Sequence, residues 1–152
     1  MPISINASSF HASDPQTINT YINILKKYNV DPAMVEIELT ETAVVSEYES
    51  VRKLFDSFQL HGIKTAMDDF GSGYSVLNTI VDIPVDVIKI DRGFITSCLE
   101  TDRGIYFLKH LIDMIWNLGY QIICEGVETD EQIEILRPVS YTHLRAHETR
   151  SN

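Results

Sequence analysis

Two hydrophobic periods take turns along the chain. Pro2 to Asn6 alternates apolar and polar positions, the mark of a short strand. Asp14 and Pro15 then supply an N-cap and a first-turn proline, and Ile18, Ile22 and Leu25 follow at helical spacing. Met34 to Leu39 is the next predicted strand. Ser46 and Glu49 have the spacing of a capping box, opening a helix that carries Val51, Leu54, Phe55 and Phe58 and stops at Gly62. Ile63 to Asp69 and Asp86 to Asp91 read as the third and fourth strands. Ile105, Leu108, Leu111, Ile112 and Ile115 form another helical stripe, closed by Gly119. Tyr120 to Glu125 is the fifth strand, and Asp130 to Leu136 a last helix.

Strands and helices alternating over connections this short imply parallel strands joined by right-handed crossovers. The fold class expected is α/β. Its polar residues are not scattered. Asn6, Glu38, Asp68, Asp91 and Glu125 each close a different strand, about one βα unit apart. In a (β/α)8 barrel such strand ends converge on one face, where the active site is built. In an open doubly wound sheet they would spread along an edge. Taken singly, each is as readily a helix N-cap. Taken together, carboxylates crowded at one rim repel one another, and a divalent cation resolves the conflict. Parity agrees: Glu36 and Glu38 share one strand face, Lys64, Ala66 and Asp68 another, and Lys89 and Asp91 a third. Deeper on that face, Glu36 and Lys64 are placed to form an internal ion pair. Lys89 is either part of the site or simply a salt-bridge partner for Asp91. His61 and His110 fall on or beside helices and read as surface or packing residues.

Composition narrows the function. The 152 residues are 44% hydrophobic, enough for a core within one domain, and carry a formal charge of −10. That balance argues against a nucleic-acid polymer or an anionic membrane surface as partner, and suits divalent cations. The two cysteines, Cys98 and Cys124, lack metal-like spacing and read as buried thiols in a reduced compartment. No run of about 18 apolar residues and no signal peptide are present, so a cytoplasmic location is expected and no membrane contact from this segment. A longer parent chain can still be tethered to the inner membrane elsewhere. Residues 138–152 break the pattern. They read PVSYTHLRAHETRSN, with no apolar period, and look like a translated sequencing adapter. The expected division is 1–137 as a barrel segment and 138–152 as a non-native tail.

Several motifs in order sharpen this picture. Glu38-Leu39-Thr40-Glu41, Asp68-Asp69-Phe70-Gly71-Ser72-Gly73-Tyr74-Ser75, Lys89-Ile90-Asp91 and Glu125-Gly126-Val127-Glu128 follow the strand that bears Asn6. Together they resemble the EAL-domain family of cyclic di-GMP phosphodiesterases, from about Met1 to Leu136. The resemblance implies a TIM-like barrel, of which this chain carries about five of eight βα units, the third to seventh strands. It implies hydrolysis of one phosphodiester of cyclic di-GMP to linear pGpG. By matching positions, Asn6, Glu38, Asp68, Asp69 and Glu125 would hold two Mg2+ or Mn2+ ions, with Asp68 between them. Lys89 and Glu125 would be the catalytic positions, Lys89 orienting the water and steadying the phosphate. Glu41 and Glu128 would stabilise the loop after Asp69, which in the family couples the site to a homodimer interface. Asp91, Gly71 and Gly73 would approach the substrate. The chemistry is sound, since two metals about 4 Å apart cancel phosphate charge and lower the pKa of a bound water.

The chain also departs from the family. The Glu-Ala-Leu strand, with its metal-binding glutamate and a nearby arginine, has no counterpart before Asn6, and the glutamine of the last strand has none after Leu136. Ser72 and Val76 are milder changes. Five of eight strands would leave open edges, so the isolated chain is expected to be marginally stable and inactive or nearly so. Two other functions fit the residues: a catalytically silent cyclic di-GMP-binding regulatory module, and an unrelated Mg2+-dependent barrel enzyme.

Overall fold

The structure, a computed structural model, describes residues 2–8, 11, 14, 16–72 and 80–137. Pro15, Gly73, Val76 and the tail 138–152 lie outside the described residues. Five parallel strands form one sheet: β1 (Ile3–Asn6), β2 (Val35–Thr40), β3 (Lys64–Phe70), β4 (Val87–Ile90) and β5 (Gln121–Cys124). Their spatial order is their sequence order. Every crossover therefore steps one place in the same direction. The order never reverses, as it must in a doubly wound sheet, so the sheet is an arc of a barrel wall.

The helices are α1 (Thr17–Tyr28), α2 (Glu41–Ser46), α3 (Tyr48–Leu60), α4 (Arg92–Leu99), α5 (Asp102–Asn117) and α6 (Asp130–Leu136), with a 3-10 turn at Pro32–Met34. None among the described residues is long and apolar enough to cross a membrane. The predicted stripes are buried as expected. Phe55 and Phe58 of α3, Leu108, Ile112 and Ile115 of α5, and Ile37, Leu39, Met67, Ile88 and Ile90 of the sheet share one apolar cluster. Tyr21 of α1 meets Phe58 edge to face, centroids 5.3 Å apart. The expected helix ends at Gly62 and Gly119 are present, α3 closing just before Gly62 and α5 just before Gly119.

Two predicted caps are not made. Thr40 starts α2 directly at the strand end, its Oγ1 accepting from Ala43 N at 3.3 Å. Ser46 is consequently the last residue of α2, and its hydroxyl turns back to the Ala43 carbonyl at 3.2 Å. The Ser46–Glu49 box has no place, and α3 begins without a side-chain cap. Likewise Asp14 accepts from Gln16 N at 2.9 Å, a local turn, and α1 starts only at Thr17 with no side-chain cap. Neither α2 nor α4 was predicted. Both follow a strand immediately, so their capping residues read as strand ends.

Candidate metal and catalytic site

The face of the sheet away from the apolar cluster carries the polar residues. The register sets Asn6 beside Glu38, Glu38 beside Ala66, and Ala66 beside Val87. Lys89 extends from β4 across β3 to β2, where its Nζ donates to Glu38 Oε1. Two strand spacings separate β2 from β4, about 10 Å. Ala66 lies between them, and its single methyl leaves the path open. Lys89 Nζ also lies 3.6 Å from Glu36 Oε1, which accepts from Ser4 Oγ at 3.1 Å. Glu36, Glu38 and Lys89 are all buried, and among the described residues no buried side-chain polar atom lacks a partner.

Two expectations about ion pairs are corrected here. Glu36 and Lys64 are register neighbours, yet Glu36 is engaged by Ser4 and Lys89 and makes no ion pair with Lys64. Lys89 does not pair with Asp91. Asp91 Oδ1 accepts from Phe94 N at 2.9 Å and caps α4. Position explains both outcomes: a lysine reaching over a small neighbour meets two acids at once, while an aspartate at a strand end is taken by the next helix.

The pairing register shifts at the two aspartates. Met67 pairs with Ile88 and Phe70 with Ile90, so Asp68 and Asp69 together oppose Lys89. This is a β-bulge, which re-aims side chains at a strand end. Asp69 has φ +57°, in the left-handed region that Asp tolerates better than most residues, and its N–H donates to Asp68 Oδ1 at 3.0 Å. Glu125 follows β5, its N–H continuing the ladder to the Ile90 carbonyl at 3.0 Å. Asn6 is exposed at the end of β1.

The charges at this rim act on one another. Burial pushes the Asp68 carboxyl above its ordinary pKa; Glu38 and Asp69 add to the rise, while the Asp69 N–H and Lys89 oppose it. Glu125 is raised likewise, first by burial and then by Asp68, Asp69 and Glu38 against Lys89. For Lys89 burial works against the charge. The hydrogen bond it donates to Glu38 and the charges of Glu38, Glu36 and Asp68 outweigh it and hold its pKa above the usual lysine value. Hard oxygen donors that destabilise one another's charge are the chemistry that a divalent cation relieves. In their present arrangement, no three Asp, Glu, His or Cys side chains among the described residues close around a metal position. The donor types and their mutual repulsion fit a divalent cation.

Around this rim stand supporting groups. Glu41 is buried, and its Oε2 accepts from Gly71 N at 2.7 Å. Gly71 has φ +97°, and a β-carbon there would lie 2.5 Å from Phe94 Cγ. The close neighbour of Gly71 is thus the Phe94 ring. Glu128 pairs with Arg92 of α4 at 2.8 Å, both side chains exposed. Sequence reasoning missed Ser4, Arg92, Phe94 and the role of Ala66. Only Ala66 leaves a signal, a small residue in an otherwise bulky strand.

Known proteins resemble this chain in sequence and fold. The profile of the EAL domain family matches residues 1–144. The cyclic di-GMP phosphodiesterase PdeL of Escherichia coli is 31% identical over 134 residues, covering 88% of this chain and 36% of PdeL. The crystal structure of the EAL domain of Mycobacterium smegmatis DcpA superposes with a TM-score of 0.79 at 30% identity, covering 90% of this chain and 61% of that one. The manganese and cyclic di-GMP complex of Klebsiella pneumoniae BlrP1 matches at 28% identity and TM-score 0.78, over 89% of this chain and 35% of BlrP1. The chain spans 18% of the length of the first curated relatives it matches. An unrelated barrel enzyme would share neither the motifs nor this profile, and the chain belongs to the EAL domain family.

Proposed function

We propose that this chain is part of a metal-dependent phosphodiesterase that opens one phosphodiester of cyclic di-GMP to linear pGpG. The observation that carries the reading is Lys89 held charged at a rim where Glu38, Asp68, Asp69 and Glu125 feel one another's charge. Asn6, Glu38, Asp68, Asp69 and Glu125 would hold two Mg2+ or Mn2+ ions. Bound there, the metals supply charge cancellation at the phosphate and a water of lowered pKa. The remaining work falls to the chain's own groups. Lys89 donates hydrogen bonds toward the attacking water and toward the phosphate oxygens, where negative charge grows. Glu125 serves both as ligand and as orienting carboxylate. Glu41 fixes the backbone at Gly71, and Glu128 fixes Arg92 at the start of α4, so both acids hold the rim rather than a metal. Gly71, Gly73 and Asp91 would be the substrate-approaching residues by their match to the family motifs.

Residues 1–137 act as the third to seventh βα units of the barrel, with 138–152 as a tail outside those units. The parent works in the cytoplasm as a homodimer. Turnover by this chain alone is weak, since its match covers only 61% of a solved EAL domain. The test is therefore Mn2+ binding by electron paramagnetic resonance, alongside chromatography of products from cyclic di-GMP. Mn2+ should bind, and Asp68→Asn and Glu125→Gln should each weaken it at least about tenfold, with any product formed being linear pGpG. Mn2+ binding that both variants leave unchanged would sink the reading.

A further inference from the structure

One pleat repeat deeper than Glu38, on the same face of β2, lies a carboxylate the proposed reaction does not use. Glu36 is 6% exposed. Ser4 of β1 donates to its Oε1 at 3.1 Å, and Lys89 Nζ lies 3.6 Å from the same oxygen. Lys89 thus has two acidic neighbours at two depths, and they are not equivalent. Glu38 is level with Asn6, at the rim. Glu36 is level with Ser4 and Lys64, farther from the strand ends.

A carboxylate that coordinates a cation has less charge to offer an ammonium group. The cation itself repels that ammonium. When Glu38 turns to a metal ion, the hydrogen bond that Lys89 donates to it is weakened from both sides. Glu36 stands away from the rim and is oriented by the Ser4 hydroxyl. We propose that Glu36, fixed by Ser4, is the anchor that keeps Lys89 directed across the sheet once metal is bound. It is a positioning residue acting through Lys89, and the proposal rests on the reading of Glu38 as a metal ligand. Without Glu36, loading the site would drive Lys89 outward, away from where phosphate charge develops.

The test follows the Lys89 ammonium protons by NMR in lysine-labelled chain, with the signal assigned by its loss in Lys89→Arg. Proton exchange with water is measured in wild type, Glu36→Gln and Ser4→Ala, each with and without Mg2+, after circular dichroism has shown that each is folded. Without Mg2+, Glu36→Gln should exchange within about twofold of wild type, because Glu38 still holds the ammonium. With Mg2+, exchange in Glu36→Gln should rise roughly tenfold, the factor for one lost charge-assisted hydrogen bond. Ser4→Ala should move in the same direction by less, and it carries the test if Glu36→Gln does not fold. Equal acceleration with and without Mg2+ would make Glu36 a plain structural partner and overturn the proposal. So would a wild-type signal that vanishes when Mg2+ is added. Mn2+ affinity should stay within about twofold in Glu36→Gln, since a tenfold loss would make Glu36 itself a ligand. A wild-type chain that binds no Mn2+ at all would overturn the metal reading itself, and the proposal with it.

Discussion

Replacing Gly71 with alanine tests how tightly the rim is built. The new β-carbon would stand 2.5 Å from Phe94 Cγ and 2.8 Å from both δ carbons. Carbon atoms rest about 3.5–4.0 Å apart, so the ring must retreat by about 1 Å or more. The ring also meets Phe107 edge to face with centroids 6.3 Å apart, so its movement disturbs a second aromatic contact. Overpacking of this kind costs about 1–3 kcal/mol. The backbone adds its own penalty, since φ of +97° strains any residue with a β-carbon by about 1–2 kcal/mol. Gly71→Ala should therefore cost about 2–5 kcal/mol in urea unfolding, followed by Trp116 fluorescence, with an unchanged slope. Phe94→Ala removes the ring and with it the steric part. In that background the same substitution should cost only the backbone strain, about 1–2 kcal/mol. The hydrogen bond from Gly71 N to Glu41 is kept in every member of the cycle, so the coupling reports the ring alone. Identical costs of Gly71→Ala in both backgrounds would refute the reasoning.

Other consequences are open to measurement. Lys89→Met leaves Glu36 and Glu38 buried without their cation and should destabilise the chain by about 3–5 kcal/mol by urea midpoint; adding Glu36→Gln and Glu38→Gln should recover most of it. Ala66→Leu should block the path of Lys89 over β3, costing about 1–3 kcal/mol and speeding the exchange of its ammonium protons relative to wild type. Mg2+ or Mn2+ at a hundredfold excess over its dissociation constant should stabilise the fold by about 2.7 kcal/mol, an effect that chelation reverses and that Asp68→Asn at the same metal concentration cuts to about 1.4 kcal/mol or less. Burial pushes the Cys124 thiol up to about 12 and raises Cys98 as well. At pH 8 only about one Cys124 in ten thousand is ionised, so both thiols should react with a disulfide reagent only after unfolding in urea.

Much of this fold is visible in the residues themselves. Parity in Val35–Thr40 and, up to the bulge, in Lys64–Met67 separates the acid-bearing face from the apolar one, and Glu38 at its strand end follows from it. The hidden parts have physical reasons. Asp91 closes a strand and caps α4 with one side chain, so the same letter carries two meanings and the helix behind it goes unseen. The bulge at Asp68 and Asp69 depends on a left-handed aspartate, which no period announces. Pairing rules favour the nearest cross-strand neighbour and so matched Glu36 with Lys64. The real partner, Lys89, comes from one strand farther away because a lysine is long and Ala66 is short.

The sequential strand order has a consequence in time as well as in space. Each strand pairs with the one made just before it, β1 with β2 and so on to β5. Among the described residues no pairing waits for a distant part of the chain, which keeps contact order low for a parallel sheet and shortens the loops that must close. As the polypeptide leaves the ribosome, each new strand finds its template already in place, so the wall can grow one unit at a time behind synthesis. The rim acids then arrive in succession, Glu38 first and Glu125 last, and the charge conflict among them appears only when the sheet that supports it has been laid down.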